Sequence, residues 1–271
     1  MLEWGLPRLR ELPWRSTRDP WAVLVSEVML QQTQASRVMP KWSAFLDAFP
    51  APPDCADAPL GDVLRHWHGL GYPRRARNLH LAAQRITELG EFPTTLEGLL
   101  ALPGVGAYTA RAVLAFAFET DAAVVDTNIA RVYARVVGRR MTAGEVQSMA
   151  DASLPAGQPW AWNQCVMDLG AQLCRPNPAC GECPLRRACA WKGKGSDPAV
   201  GSSGVSRGQG RFEGSDRQFR GRLMKELTQR SVPVDRVPVV MACDPERAER
   251  LLDALCREGL CTVVGGRVQL P

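Results

Sequence analysis

Along residues 1 to 190, apolar positions recur every three or four residues and strand-like alternation is nearly absent, which predicts stacked helices and not a sheet. The clearest case is 127–137, where Ile129, Val132, Tyr133, Val136 and Val137 fall on one face. The stretch 21–30 is apolar on almost every side and predicts a buried helix, and 107–118 predicts another. Breaks at Pro50-Ala51-Pro52-Pro53, Gly69-Leu70-Gly71-Tyr72-Pro73 and Gly90-Glu91-Phe92-Pro93 divide the helices. The expectation is an all-α domain over residues 1–191.

The pattern changes after Trp191. Residues 192–216 turn to Gly, Ser and charge, including Gly201-Ser202-Ser203-Gly204, and read as a flexible linker. Helices are then expected over 218–229 and 245–258, the second with Leu251, Leu252 and Leu255 as its buried stripe. The runs 261–264 and 267–270 flank Gly265-Gly266 as a hairpin. Helices that end in a two-stranded hairpin predict a small winged-helix-like domain over 217–271.

Composition narrows the function classes. The chain has 271 residues, 45% of them hydrophobic and 23% charged, which allows one sizeable globular domain and a small appendage. It has no apolar run that could span a bilayer, and Met1-Leu2-Glu3-Trp4-Gly5 is not the start of a signal peptide, so a cytoplasmic protein is expected. A formal charge of +5 permits nucleic-acid binding without requiring it. Of the 33 basic residues only Lys41, Lys192, Lys194 and Lys225 are lysines, so none lies between Trp42 and Trp191.

Nine cysteines are many for such a chain, and an odd number argues against a disulfide framework. Cys55, Cys165, Cys243, Cys256 and Cys261 are scattered and read as small buried hydrophobes. Cys174, Cys180, Cys183 and Cys189 instead form a C-x5-C-x2-C-x5-C string. Structural zinc sites usually pair two CxxC units across a longer gap. Four closely strung thiolates suit an iron–sulfur cube, with zinc as the alternative.

Three further features could carry chemistry. The amides of Gly104, Val105 and Gly106 lie just ahead of a helix and could hold a phosphate, or the segment could be an ordinary helix–helix turn. Glu27 is nearly the only ionisable group in its apolar helix. Burial there should raise its pKa and suit a general acid, unless it is simply paired with an arginine. Asp126 stands at the mouth of the 127–137 helix, where capping is the simplest role and stabilising a developing positive charge is compatible with it.

These features occur among a set of ordered motifs: Leu12-Pro13-Trp14-Arg15, the run Ser26-Glu27-Val28-Met29-Leu30-Gln31-Gln32-Thr33-Gln34, and Gly69-Leu70-Gly71-Tyr72. The series continues with 102–109, Val125-Asp126-Thr127-Asn128, and Met167-Asp168-Leu169-Gly170 ahead of the cysteines. In this order they resemble the helix-hairpin-helix DNA glycosylases and, within them, the MutY-type adenine DNA glycosylases. The resemblance spans residues 12–189.

The resemblance implies a two-lobed helical fold and a base-excision repair enzyme that removes adenine mispaired with 8-oxoguanine or G. Glu27 would protonate the adenine ring, Asp126 would face the oxocarbenium-like sugar, and Asn128 would support it. Relatives that also cut the backbone carry a lysine at the position of Tyr108, so a monofunctional enzyme that leaves an abasic site is expected. Trp14, Arg15, Leu30 and Gln164 would line the pocket for the flipped base. Gln31, Gln32, Thr33 and Tyr72 would meet the DNA near the partner strand, along with Gly104, Val105, Gly106 and Arg175.

A [4Fe–4S] cluster on the four cysteines is implied as a cofactor, with Arg175, Arg186 and Arg187 placed to reach phosphates. The first loop of the cluster here holds five residues, Arg175-Pro176-Asn177-Pro178-Ala179, where the family usually has six. The 55 residues after Asp216 read as a winged helix and not as the Nudix-like domain through which well-known members read 8-oxoguanine. Arg217, Arg220 and Arg222 could let that module touch DNA, or form a solvated helix face. The expected partner is damaged or mismatched double-stranded DNA, bound by a monomer. A thymine or uracil mismatch glycosylase, or a non-catalytic DNA-binding protein, is the alternative.

Overall fold

The computed structural model describes residues 1–205 and 210–271; residues 206–209, inside the expected linker, lie outside the described residues. The first helices are α1 (Leu2–Gly5), α2 (Pro20–Leu30), α3 (Ala35–Ala48), α4 (Pro52–Asp57), α5 (Leu60–Trp67) and α6 (Arg74–Leu89). Then come α7 (Leu96–Leu100), α8 (Ala107–Phe116), α9 (Thr127–Val137), α10 (Ala143–Ser153) and α11 (Pro159–Gln172). The C-terminal region holds α12 (Asp216–Leu227), β1 (Val232–Pro233), α13 (Val237–Met241), α14 (Pro245–Arg257), β2 (Thr262–Val264) and β3 (Arg267–Gln269).

Local chemistry sets most of these boundaries. Helix α10 opens on a capping box in which Thr142 and Glu145 satisfy each other's backbone amides. Helix α14 opens on Asp244, whose side chain accepts from the Arg247 amide, with Pro245 at its first position. Helices α6 and α9 stop at Gly90 and Gly138, which take left-handed φ of 75° and 81°.

The chain divides into two compact units. One comprises Met1–Leu24, Thr94–Ala101 and Val105–Gly208; the other comprises Val25–Pro93, Leu102–Gly104 and Gln209–Pro271. The core of the first unit gathers Ile129, Val132, Tyr133, Val166 and Leu169 from α9 and α11 with Met141, Val146 and Ala150. In the second, Phe45 packs against Phe49 at 4.9 Å and meets Trp67 edge-on at 6.2 Å. Each of the fully buried Val, Leu, Ile and Phe side chains among these contributes roughly 1.5–3 kcal/mol relative to exposure.

The C-terminal region has the order of a winged helix. Its three strands pair antiparallel in the order β1-β3-β2, with Val232 opposite Val268 and Val263 also opposite Val268 across the hairpin. Leu223, Met241, Leu251, Leu255 and Val268 form its interior. The two-residue β1 and short α13 carry too little pattern to be read from sequence, and α12 begins two residues earlier than expected. This region belongs to the second unit. The Gly61 amide donates to the Pro271 carbonyl at 3.2 Å, and a Cβ on Gly259 would lie 3.0 Å from Arg77 Nε.

The stretch expected to be a flexible linker is not uniform. Asp197 forms a 2.6 Å ion pair with Arg135 of α9, and the buried Ser202 hydroxyl accepts from the Met141 amide at 3.1 Å. A Gly/Ser-rich composition therefore gives fixed structure over 197–203, because Arg135 offers a buried charge that Asp197 answers. No helix among the described residues is long and apolar enough to cross a membrane.

Candidate functional site

The hairpin between α7 and α8 is built as the glycines require. Gly104 has φ of 76°, and a Cβ there would sit 2.6 Å from Asn78 Cβ, so this position needs glycine on both counts. Val105 is buried and fixes the turn, while Gly106 caps α8 in an extended conformation. Backbone amides thus stand at the head of a ten-residue helix, where an anion could be held. Tyr108, half-buried, follows in the first turn of α8.

Asp126 caps α9. One carboxylate oxygen accepts from the Ile129 amide at 2.7 Å and the other from Asn128 Nδ2 at 2.8 Å. Asn128 Oδ1 in turn accepts from Arg131 Nη2 at 2.8 Å, and Arg131 also donates to the carbonyls of Cys174 at 2.6 Å and Gly170 at 2.8 Å. Desolvation raises the Asp126 pKa, opposed by the hydrogen bonds from Ile129 and Asn128 and the charge of Arg131. The capping role expected of Asp126 is thus present, in a geometry compatible with a functional role.

Two residues to which the sequence assigned no role hold this arrangement. Asn163 of α11 accepts from the Val124 amide and donates to the Ala122 carbonyl, which anchors the segment leading to Asp126. Gly170 lets α11 approach α9, since a Cβ there would lie 2.6 Å from Asn128 Cβ. The available signals were an amide inside an apolar helix and a glycine in mid-helix, neither of which names its partner.

Glu27 lies in α2 and is buried, 4% exposed, as are its sequence neighbours Val23, Leu24, Ser26 and Val28. At the end of that helix Gln31, Gln32 and Thr33 form a turn, with Gln32 exposed at a left-handed φ of 56°. Arg75, a further missed residue, ties this turn to the Gly-Tyr loop. Its Nη1 donates to the carbonyls of Val28, Met29 and Gln31 at 2.6–2.9 Å. Its Nη2 donates to Thr33 Oγ1, Leu70 O and Gly71 O at 3.0–3.1 Å.

Arg75 also lies 5.4 Å from the ring centres of both Trp67 and Tyr72. Gln31, Gln32, Thr33 and Tyr72 are thus brought together by one guanidinium. Leu30 is half-buried at the end of α2.

Among the residues expected to line a base pocket, Trp14 and Gln164 are buried. Arg15 is committed to Asp168, with Nη1 and Nη2 each donating at 2.9 Å in a bidentate pair that Arg10 joins at 2.8 and 2.7 Å. Burial would raise the Asp168 pKa, but the donors Arg15 and Arg10 outweigh it and hold the carboxyl below its usual range. Gln164 sits one turn ahead of Asp168 on α11, so the Trp14-Arg15 segment and Gln164 share a neighbourhood. The Arg15 guanidinium positions that segment; its Nε is buried with no partner among the described residues.

The four cysteines 174, 180, 183 and 189 line one small cavity together with Arg135, Pro178, Arg186 and Trp191. Arg135 Nη1 lies 3.4 Å from Cys174 Sγ, and the Lys192 amide is 3.4 Å from Cys189 Sγ. A Cβ on Gly193 would come within 3.1 Å of Cys180 Sγ. Among the described residues no His/Cys/Asp/Glu group is arranged to grip a single metal ion. Four sulfurs around one cavity, with N–H groups directed at two of them, fit a soft, thiolate-held inorganic cluster. Arg175, Arg186 and Arg187 are exposed beside it.

Comparisons with known proteins show the family. Residues 25–155 match the family model of the HhH-GPD superfamily base excision DNA repair proteins. The chain is 42% identical over 284 residues to the adenine DNA glycosylase of Mycobacterium tuberculosis, covering 100% of this chain and 92% of that protein. It is 40% identical to the adenine DNA glycosylase of Mycolicibacterium smegmatis, covering 96% of this chain and 90% of that protein. Among solved structures, a thermostable thymine-DNA glycosylase superposes with a TM-score of 0.66 at 29% identity, covering 72% of this chain and 94% of that one.

Proposed function

This chain belongs to the HhH-GPD superfamily of base excision DNA repair proteins and acts as an adenine DNA glycosylase, and from that premise we propose a monofunctional mechanism resting on Glu27 and Asp126. The partner base is proposed to be 8-oxoguanine or guanine. The observation that carries the reading is the Asp126 carboxylate, capped onto α9 and held through Asn128 by the buried Arg131.

Adenine leaves a sugar reluctantly because the bond's electron pair must settle on a neutral ring. In this reading the Glu27 carboxyl, buried in α2, donates its proton to a ring nitrogen of the flipped base. The glycosidic bond then breaks, its electron pair goes to the protonated purine, and positive charge develops on the sugar. Asp126 supplies the opposing negative charge from a position that needs no reorganisation, since its two oxygens are already oriented by Ile129 and Asn128. Water then adds to the sugar carbon and gives up a proton that restores the Glu27 carboxyl, leaving an abasic site. Tyr108 offers no amine, and no lysine lies between 42 and 191, so no Schiff base to the sugar is formed by this core.

The Gly104–Gly106 amides are proposed to hold a phosphate, and Gln32 and Tyr72 to enter the base stack. Trp14 and Gln164 are proposed to receive the adenine, with Arg15 positioned by Asp168 beside them. Cys174, Cys180, Cys183 and Cys189 would hold a [4Fe–4S] cluster that braces the loop carrying Arg175, Arg186 and Arg187. The protein is proposed to act as a monomer on duplex DNA in the cytoplasm.

The test is single-turnover cleavage of duplexes with A opposite 8-oxoguanine, A opposite G, T opposite G and U opposite G, each with and without alkali. Alkali-dependent breakage at adenine alone is expected, with Glu27→Gln retaining DNA binding and losing cleavage. Breakage only at thymine or uracil would establish the second reading, which the likeness to the thymine-DNA glycosylase favours. Strand breakage without alkali would sink the monofunctional assignment.

A further inference from the structure

Arg217 lies in the first turn of α12, within the C-terminal region. Its Nη1 donates to the Tyr72 hydroxyl at 3.0 Å, its Nη2 to the Gly210 carbonyl at 2.9 Å, and its guanidinium carbon lies 5.7 Å from the Phe212 ring centre. Tyr72 takes a left-handed φ of 50° directly after Gly71 at 76°, a conformation uncommon for a residue with a large side chain.

Arg75 imposes it from below. That guanidinium holds the carbonyls of Leu70 and Gly71 and lies under the Tyr72 ring, so it fixes the backbone of the loop. The phenol tip is held by a different cation, brought by the C-terminal module. A phenol oxygen that accepts a charged N–H is restricted in direction, and the ring cannot swing about its side-chain torsions without breaking that bond.

The surroundings of this contact are those of a nucleic-acid surface and not of a core. Phe212 is 57% exposed beside Arg217. His68, next to the loop, has its pKa lowered first by burial and then by the charges of Lys41 and Lys225, the latter also on α12. Arg37 donates to the Gly69 carbonyl at 2.8 Å. Exposed aromatic surface among cations is the combination that takes base faces and phosphates.

We propose that Arg217 is a specificity-determining positioning residue: by fixing the Tyr72 ring, it lets the C-terminal module set which base opposite the adenine is accepted. The inference rests on the reading that Tyr72 enters the base stack. A ring held at both ends presents one shape to the partner strand, so a partner purine that fits it is favoured over one that does not. A ring held only through its backbone adapts to either partner, and discrimination falls while excision itself continues.

The experiment uses the full chain and two duplexes, adenine opposite 8-oxoguanine and adenine opposite guanine. It reads the ratio of their single-turnover rates and the ratio of their affinities with a non-cleavable adenine analogue. Arg217→Ala and Tyr72→Phe are each expected to lower both ratios about tenfold, the size of one charge-assisted hydrogen bond, and the double variant to go no further. Arg217→Lys restores part of the effect. Arg230→Ala, which removes an exposed ion pair with Glu226 on the same module, leaves the ratios alone.

A purely structural role would lower the melting temperature and slow both duplexes equally, and that result overturns the proposal. Unchanged ratios in Arg217→Ala, with Tyr72→Ala still collapsing them, overturn it while the reading of Tyr72 stands. Ratios untouched by Tyr72→Ala, or equal rates on the two duplexes in the unaltered chain, overturn both.

Discussion

Arg75 in the second unit and Arg131 in the first are each 9% exposed, yet their surroundings differ. Arg75 gives its hydrogen bonds to five backbone carbonyls and one hydroxyl, with no carboxylate among them. Burial pushes its pKa down to about 10, which still leaves it charged at neutral pH. Arg131 also reaches two carbonyls at close range, but it ends on Asn128 and so on a carboxylate. Burial lowers its pKa too, and Cys174, Asp126 and Asp197 are among the charges that oppose the shift. The contrast separates two uses of a buried guanidinium. One clips backbone segments together; the other passes the position of a distant loop to a group proposed to do chemistry.

The largest expected effect comes from breaking the clip. Arg75→Ala strands several buried carbonyls at once and should lower stability by at least ~3 kcal/mol in denaturant unfolding. Arg75→Lys should recover little, because an ammonium cannot span the same acceptors. A loss below ~1 kcal/mol would show that water replaces the guanidinium and that the clip is dispensable.

Close approach in the first unit can be tested through Gly170→Ala. The added Cβ meets Asn128 Cβ at 2.6 Å and its carbonyl oxygen at 2.9 Å, both on a helix that cannot yield locally. Overpacking of this kind costs ~1–3 kcal/mol, and single-turnover excision should fall with it because Asn128 must move. Full activity in a destabilised variant would separate Asn128 from the reaction.

The two arginines should also differ in their pH signatures. The Asp126 pKa is raised above the ordinary 3.8 by desolvation, and Arg131 is one of the influences that lower it again. Excision that needs the ionised carboxylate is present above the folded pKa and is lost as pH falls through it. Arg131→Met removes a lowering influence, so the acid limb of the rate profile should move to higher pH. An unmoved limb would detach Arg131 from the carboxylate. The smallest effect marks the baseline: Arg85→Ala removes an exposed pair with Glu88 and should change stability by no more than ~0.5 kcal/mol.

Much of the helical layer was readable in the chain. The 127–137 helix agrees with α9 in both ends because an Asp cap, a one-sided apolar face and a following glycine all mark it. The hairpin glycines and the four-cysteine string were visible because each states its requirement locally, one as a turn and the other as a spacing. The winged-helix hairpin was visible for the same reason. Arg217, Arg220 and Arg222 were less well read. Open to either DNA contact or a solvated helix face, they take separate partners that no local pattern names: Arg220 pairs with Glu258, Arg222 donates to the Met241 carbonyl, and Arg217 reaches Tyr72.

The sequence by itself determined the ends of helices marked by caps and glycines, as in α9, which residues can titrate or bind metal, and the order in which the motifs follow one another. Only the tertiary structure decided that Arg15 belongs to Asp168, that 197–203 packs on α9, and that Arg75 and Arg131 organise the loops around them. The physical reason is the nature of the partners. Caps and spacings are local and are written in side chains. A buried arginine is satisfied largely by backbone carbonyls tens of residues away, and every residue carries the same carbonyl.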